Sequence, residues 1–296
     1  MKVLVTGVKG QLGYDVVNEL RKRNHEAIGV DIEEMDITDA ASVNTVIREA
    51  APDAVIHCAA WTAVDAAEDA ENQEKVHLVN AAGTENIAGV CKELDIKMMY
   101  ISTDYVFDGQ GTAPWLPDCK DYRPLNVYGK TKLEGELAVS ETLSKYFIIR
   151  IAWVFGKNGK NFIRTMLNLG RKYEQLRVVS DQIGTPTYTY DLARLLVDMI
   201  ETEKYGYYHA TNEGGYISWH DFTTEIFRQA AELGHKEYAR VTVTPVTTEE
   251  YGVSKAARPF NSRLDKSKLT ENGFRPLPDW KDALNRYLKD LNFEEM

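Results

Sequence analysis

The chain has 296 residues, 44% of them hydrophobic and 27% charged, with a formal net charge of −10. That length suffices for one large α/β domain or two unequal lobes. The acidic balance argues against nucleic acid or an anionic membrane as the main partner, since both need a basic face. Three cysteines, Cys58, Cys91 and Cys119, follow no CxxC or zinc-ligand spacing, so reduced thiols are expected and no metal ligand is assigned. The N-terminal Lys2-Val3-Leu4-Val5 is ended by Thr6-Gly7 too soon for a signal peptide, and no apolar run approaches the length of a membrane span. A cytoplasmic location is the expectation.

In chain order, Val3–Val5 reads as a strand, Gln11–Arg23 as a helix and Ala27–Val30 as a strand. A helix from about Ser42 to Ala50 leads to a strand at Ala54–His57. Helix is expected through Asn80 to Glu93, strand at Lys97–Ser102, helix from Val127 to Ser144 and strand at Phe147–Ile151. Short, nearly continuous apolar strands separated by helices mark a parallel sheet covered on both faces. After about Arg150 the pattern loosens, with glycine and asparagine clustered at positions 156–161. Helices are expected at Asp191–Glu203, at Trp219–Leu233 and after Pro278, with a strand at Val241–Val246. The expected fold class is α/β: a Rossmann-type doubly wound parallel sheet over residues 1–150, and a smaller C-terminal α/β substrate lobe over most of 151–296. Residues from about 178 to 215 are expected to return to the first domain.

The first strand runs into Gly7-Val8-Lys9-Gly10-Gln11-Leu12-Gly13, a GxxGxxG turn ahead of a helix. Gly7 permits the tight turn, Gly10 lets backbone approach a pyrophosphate, and Gly13 lets the helix pack close to the sheet. The free N–H groups of the helix start face the phosphates. Three glycines alone also fit an ordinary turn. Asp31 at the end of the second strand adds to them, because an acid there binds adenosine ribose hydroxyls and repels the extra phosphate of NADP. NADH is therefore favoured, with NADPH open. Asp36 and Ile37 are candidates to lie near the adenine, as are Cys58, Ala59 and Ala60 after the third strand, where small residues equally suit close packing.

Tyr128 and Lys132, four residues apart in Tyr128-Gly129-Lys130-Thr131-Lys132, share a helix face. A neighbouring ammonium stabilises a phenolate, and the pair suits acid–base work beside a nicotinamide ribose. Taken alone, YxxxK is common by chance. Thr103, at the end of the strand that runs from Lys97, adds a hydroxyl at the ligand-binding edge of an open α/β sheet, able to polarise a carbonyl beside Tyr128.

These segments resemble the dTDP-4-dehydrorhamnose reductase family of extended short-chain dehydrogenases. The resemblance is carried by residues 6–13, by Ser102-Thr103-Asp104-Tyr105-Val106-Phe107-Asp108-Gly109, by residues 124–132, by Gly184-Thr185-Pro186-Thr187 and by Arg258-Pro259-Phe260-Asn261-Ser262-Arg263-Leu264-Asp265. It implies Thr103, Tyr128 and Lys132 as the catalytic trio. It implies cofactor contacts at Gly10, Gln11, Leu12, Asp31, Asp36, Ile37, Ala60, Trp61 and Thr62, and a sugar site lined by Thr103, Asp104 and Trp153. The substrate implied is a dTDP-ketosugar, reduced at C4 from dTDP-4-dehydro-L-rhamnose to dTDP-L-rhamnose by NADH or NADPH. Arg258 and Arg263, with planar forks suited to a diphosphate, and Asn161 are further candidates for the nucleotide. Trp153 equally suits a lobe-interface aromatic.

Some members resemble a magnesium-bridged dimer held by acidic residues. Here Asp15 is short and Tyr190 occupies the middle position, so a structural magnesium is not expected; a homodimer stays open. Two other readings remain: a non-catalytic NAD(P)-binding subunit similar to the methionine adenosyltransferase β subunit, and another nucleotide-sugar epimerase, dehydratase or reductase.

Overall fold

The computed structural model of the chain describes residues 1–295. Five strands lie in the first half: β1 (Lys2–Thr6), β2 (Glu26–Val30), β3 (Ala54–His57), β4 (Lys97–Thr103) and β5 (Tyr146–Ile151). A sixth, β6 (Gly206–His209), comes from much later in the chain. They form one sheet in the order β2-β1-β3-β4-β5-β6, and every neighbouring pair is parallel. The chain steps outward from β1 to β2, then crosses to β3 on the other side. The reversal opens a crevice at the carboxyl ends of β1 and β3, where open α/β sheets take their ligands.

Both sheet faces are buried, which is why the strands read as apolar runs. Val3, Val5, Ile56, Met99 and Ile149 face the helices Gln11–Lys22 and Thr189–Ile200. Leu4, Val55, Met98, Tyr100 and Ile148 face the helices Ala40–Ala50, Gly83–Glu93 and Val127–Thr142. A separate apolar cluster builds the smaller lobe. There the helices Phe162–Lys172, Trp219–Glu232 and Trp280–Asp290 pack with a parallel pair of strands, Gln175–Val179 and Thr242–Val246.

Three features depart from the sequence reading. The expected helix near Asn80 is a longer run from Ala70 to Glu93 with a π turn at Leu78–Ala82, a distortion that often accompanies functional sites. The helix Phe162–Lys172 was hidden by the glycine- and asparagine-rich stretch before it, whose last residue, Asn161, is its N-cap. Strand β6 is four residues long and half aromatic, too short for its periodicity to register.

The glycine turn shows why two of its residues must lack a side chain. Gly7 has φ +69°, and a Cβ there would lie 2.7 Å from the Ala59 nitrogen. A Cβ on Gly13 would lie 2.3 Å from the Gly7 carbonyl oxygen. Gly89 is a helical glycine whose Cβ would meet nothing within 4 Å. Gly13→Ala should therefore cost about 1–3 kcal/mol by overpacking, whereas Gly89→Ala should gain roughly 0.5–1 kcal/mol of helix propensity. Urea midpoints of the two variants check this: shifts of the same sign would contradict the packing described here.

Candidate active site

A cleft of about 910 Å³ runs along the carboxyl edge of the sheet. One end is the glycine turn. Gly7, Gly10, Gln11, Leu12 and Gly13 line it, with Asp31 at the tip of β2 and Asp36 and Ile37 beyond. The Thr6 hydroxyl forms the floor, accepting from the Cys58 and Ala59 N–H groups at 3.1 Å each. Ala59, Ala60 and Thr62 continue the wall. The Asp31 carboxylate accepts from the Lys9 N–H (3.0 Å) and the Ile32 N–H (3.0 Å). Lys9 gives its ammonium to Glu33 at 2.5 Å.

Gly10 differs from its two neighbours. A Cβ there would meet only the Gly7 carbonyl within 4 Å, at 3.1 Å. Protein packing thus leaves room that a backbone-hugging anion can use, and the helix Gln11–Lys22 begins there with unpaired N–H groups. The cradle, the acid at the strand tip and the length of the cleft fit a dinucleotide.

Midway along, β4 ends at Thr103, and the helix Val127–Thr142 brings Tyr128 and Lys132 to the same wall. Asn126 caps that helix through the Gly129 N–H (2.7 Å), and its amide donates to the Ala257 carbonyl (2.8 Å). The Thr103 hydroxyl donates to Asp104 Oδ1 (3.0 Å), accepts from the Tyr105 N–H (3.2 Å) and partners the Tyr128 phenol. Burial holds that phenol above its ordinary value; the Thr103 hydroxyl opposes the rise. Tyr128 is thus a protonated donor at neutral pH. In the resting cleft the Lys132 ammonium is directed at β4. It donates to the Ile101 carbonyl at 2.7 Å and lies 4.0 Å from the centre of the Tyr100 ring.

Past Thr103 the wall turns aromatic. Trp153 has the left-handed φ of +51°, a strained state for a bulky residue and one found at ligand clamps. Its ring stacks on Trp219 at 3.7 Å, and both line the cleft with Phe162 and Lys160. Trp219 went unnoticed in the sequence because it reads there only as the first residue of a helix. Arg258 also lines the cleft, donating to Asp65 (2.8 Å) and to the Tyr105 hydroxyl (3.3 Å).

Three expected residues stand back from the wall. Asn161 is occupied as a helix cap, and its amide donates to Gly156, Tyr287 and Gln11. Arg263 donates to Asn261 Oδ1 at 3.0 Å. Trp61 donates its ring N–H to the Ala63 carbonyl, and its backbone is held by Asn80 from the π turn. Asp15 is buried on the Thr189 hydroxyl (2.5 Å), and Tyr190 is exposed.

Asp104 is buried, and its Oδ2 has no hydrogen-bond partner. Burial lifts it from 3.8 to about 6, with the nearby hydroxyls of Ser262 and Thr103 pulling the other way. Between those values the folded chain holds more protons than the unfolded one, so stability falls as pH rises from about 4 to 6. Above that window the full cost of the buried carboxylate is present. Asp104→Asn mimics the neutral acid. It should gain on the order of 2 kcal/mol at pH 7–8 and lose that slope. Urea unfolding from pH 4 to 8 reads this, and equal slopes in the two proteins would contradict it.

A family model described as "RmlD substrate binding domain" matches residues 1–293. A dTDP-4-dehydrorhamnose reductase of Escherichia coli K12 is 35% identical over 98% of this chain and 98% of its own. The solved structure of one from Clostridium acetobutylicum is 40% identical with a TM-score of 0.91, covering 100% of both chains. One from Bacillus anthracis, solved with NADP, is 39% identical with a TM-score of 0.90 and covers 98% of this chain and 100% of its own. With its fold, its cleft and its sequence in agreement over the whole length, the chain belongs to the dTDP-4-dehydrorhamnose reductase family.

Proposed function

We propose that this chain reduces the C4 ketone of dTDP-4-dehydro-L-rhamnose to dTDP-L-rhamnose, using NADH or NADPH. The observation that carries the reading is the meeting of Thr103, Tyr128 and Lys132 on one wall of a cleft that starts at the glycine turn. Gly7, Gly10, Gln11, Leu12 and Gly13 hold the cofactor pyrophosphate, and Asp31 the adenosine ribose. Asp36, Ile37, Ala59, Ala60 and Thr62 line its path, with Trp61 behind them. A bound nicotinamide supplies the hydride. Thr103 turns its hydroxyl hydrogen from Asp104 to the ketone oxygen, and Tyr128 delivers the proton to that oxygen as the alcohol forms. Lys132 anchors the nicotinamide ribose and supports the phenolate left behind.

Residues 151–296 contribute most of the sugar-nucleotide side. Asp104 and Trp153 meet the sugar. The Trp153–Trp219 stack keeps water from that end of the cleft. Arg258 leaves Asp65 to meet a phosphate; Arg263 and Asn161 serve by holding loops. NADH is the preferred cofactor, because a 2′-phosphate would meet Asp31 with Glu33 and Glu34 beside it, while the Lys9 ammonium is already paired. The protein works in the cytoplasm as a small-molecule enzyme.

Turnover of dTDP-4-dehydro-L-rhamnose, followed by cofactor oxidation with NADH and NADPH in parallel, tests the reading. The expected result is reduction with both and a higher kcat/KM for NADH. Tyr128→Phe should lower kcat by about 10²- to 10⁴-fold while cofactor affinity stays nearly intact. Near wild-type reduction by Tyr128→Phe would remove Tyr128 from the chemistry. Cofactor binding without ketosugar turnover in the wild type would favour a non-catalytic binding subunit.

A further inference from the structure

One turn beyond Lys132 on the same helix lies Glu136, fully buried. Its two oxygens accept from Arg150 Nε (2.8 Å) and Nη2 (2.7 Å), the planar fork-to-fork pairing that fixes both groups. Arg150 is also fully buried on β5, and it reaches further. It donates to the Pro117 carbonyl (3.1 Å) and the Tyr122 hydroxyl (3.0 Å), both in the long segment that joins β4 to the helix. A buried ion pair is rarely kept for stability, since apolar replacements of similar volume often do as well. Its place one turn from Lys132 calls for another reason.

The surroundings of Lys132 supply it. Burial works against the ammonium and pushes Lys132 down to about 7; Glu136 is the foremost group pulling it back up. Asp104, on the same wall, bears on Tyr128 rather than on Lys132, and the other titratable groups around Lys132 offer no negative charge at neutral pH. Cys58, at the end of β3, is pushed up to about 12 by burial, and His57 is pushed down to about 3, chiefly by burial and then by Lys132 itself. Tyr100 on β4 and Tyr128 on the helix both stay protonated because burial raises them. The Ile101 carbonyl on β4 contributes a dipole, and the Arg150 guanidinium on β5 is taken up by Glu136.

We propose that Glu136, clamped by Arg150, is the counter-charge that keeps Lys132 an ammonium in the cleft, and so is a positioning residue for the reaction. The proposal rests on the reading of Lys132 as ribose anchor and phenolate partner. Arg150 adds a second consequence: the clamp ties that charge to the segment following Thr103 and Asp104, so the helix and the segment hold one register.

Competitive acetylation of the full chain with acetic anhydride across pH, with Lys132 quantified by mass spectrometry, reads its protonation without any substrate. Glu136→Gln should move the labelling midpoint of Lys132 down by about one pH unit, with the alkaline limb of kcat following it. Glu136→Asp, which keeps the charge, should restore most of the shift. Glu136→Gln leaves Arg150 buried without its partner. Should that variant not fold, Glu136→Gln combined with Arg150→Met removes both charges, and Lys132 should still shift down, because Glu136 acts on it directly. An unmoved midpoint in a folded variant overturns the proposal, whatever the activity. Loss of kcat by the same factor at every pH, with Lys132 unshifted, assigns the pair a purely structural role. Failure of the wild type to reduce the ketosugar would overturn the reductase reading instead, and the labelling result would still decide the charge of Lys132.

Discussion

Arg150 and Glu136 form a bidentate ion pair with no exposure to solvent, joining the last strand of the first half to the helix that carries Tyr128 and Lys132. Breaking such a pair by removing one partner costs roughly 3–5 kcal/mol, because the charge left behind has no water to turn to. The geometry of the site depends on that constraint. It sets the depth and phase of the helix against β4. With the helix so placed, Gly129 passes close to the Tyr105 carbonyl, Lys132 meets the Ile101 carbonyl and the Tyr128 phenol meets Thr103. The guanidinium also lies over the Phe107 and Tyr207 rings at 4.9 and 4.8 Å, so the charge is housed among aromatic faces that tolerate a cation.

Around this anchor the cleft divides its work by chemistry. The glycine turn offers backbone N–H groups and no side chains. The middle offers two hydroxyls, an amine and a carboxyl, all partly withdrawn from water, where a proton donor acts with little competition from solvent. The far end offers stacked indoles. The smaller lobe reaches the middle through short polar ties: Asn126 to Ala257, Arg258 to Asp65 and Asn261 to the carbonyls of Gln110 and Ala113. The Arg258–Asp65 tie is partly exposed, so it is weaker than the ion pair beneath and suited to yielding when ligand enters, while Asn126 and Asn261 are themselves buried.

Much of the sheet was legible because its strands are short, apolar and bounded by turns, and because β3 has the same limits in the sequence and in the structure. Spacing alone put Tyr128 and Lys132 on one helix face, and the strand end at Thr103 brought a hydroxyl to the same edge. Other features had no local signal. The Arg150–Glu136 pair links positions 14 residues apart through tertiary packing, and nothing in either segment marks it. Trp219 comes to Trp153 from another lobe. Arg263 and Asn161 have the right chemistry for a phosphate or a nucleotide, but in the fold Arg263 donates to Asn261, Asn161 caps a helix, and neither lines the cleft. Residue type shows what a side chain is able to bind, while the neighbours that compete for it appear only in three dimensions.

This cleft is built for hydride transfer to C4 of a nucleotide-linked ketosugar. Incubation of the chain with dTDP-4-dehydro-L-rhamnose and reduced nicotinamide cofactor carrying deuterium at both C4 positions, followed by NMR of the sugar product, tests this most directly. Deuterium at C4 of a dTDP-L-rhamnose product is the predicted result. Unchanged ketosugar, or a product that carries no deuterium at C4, would contradict it.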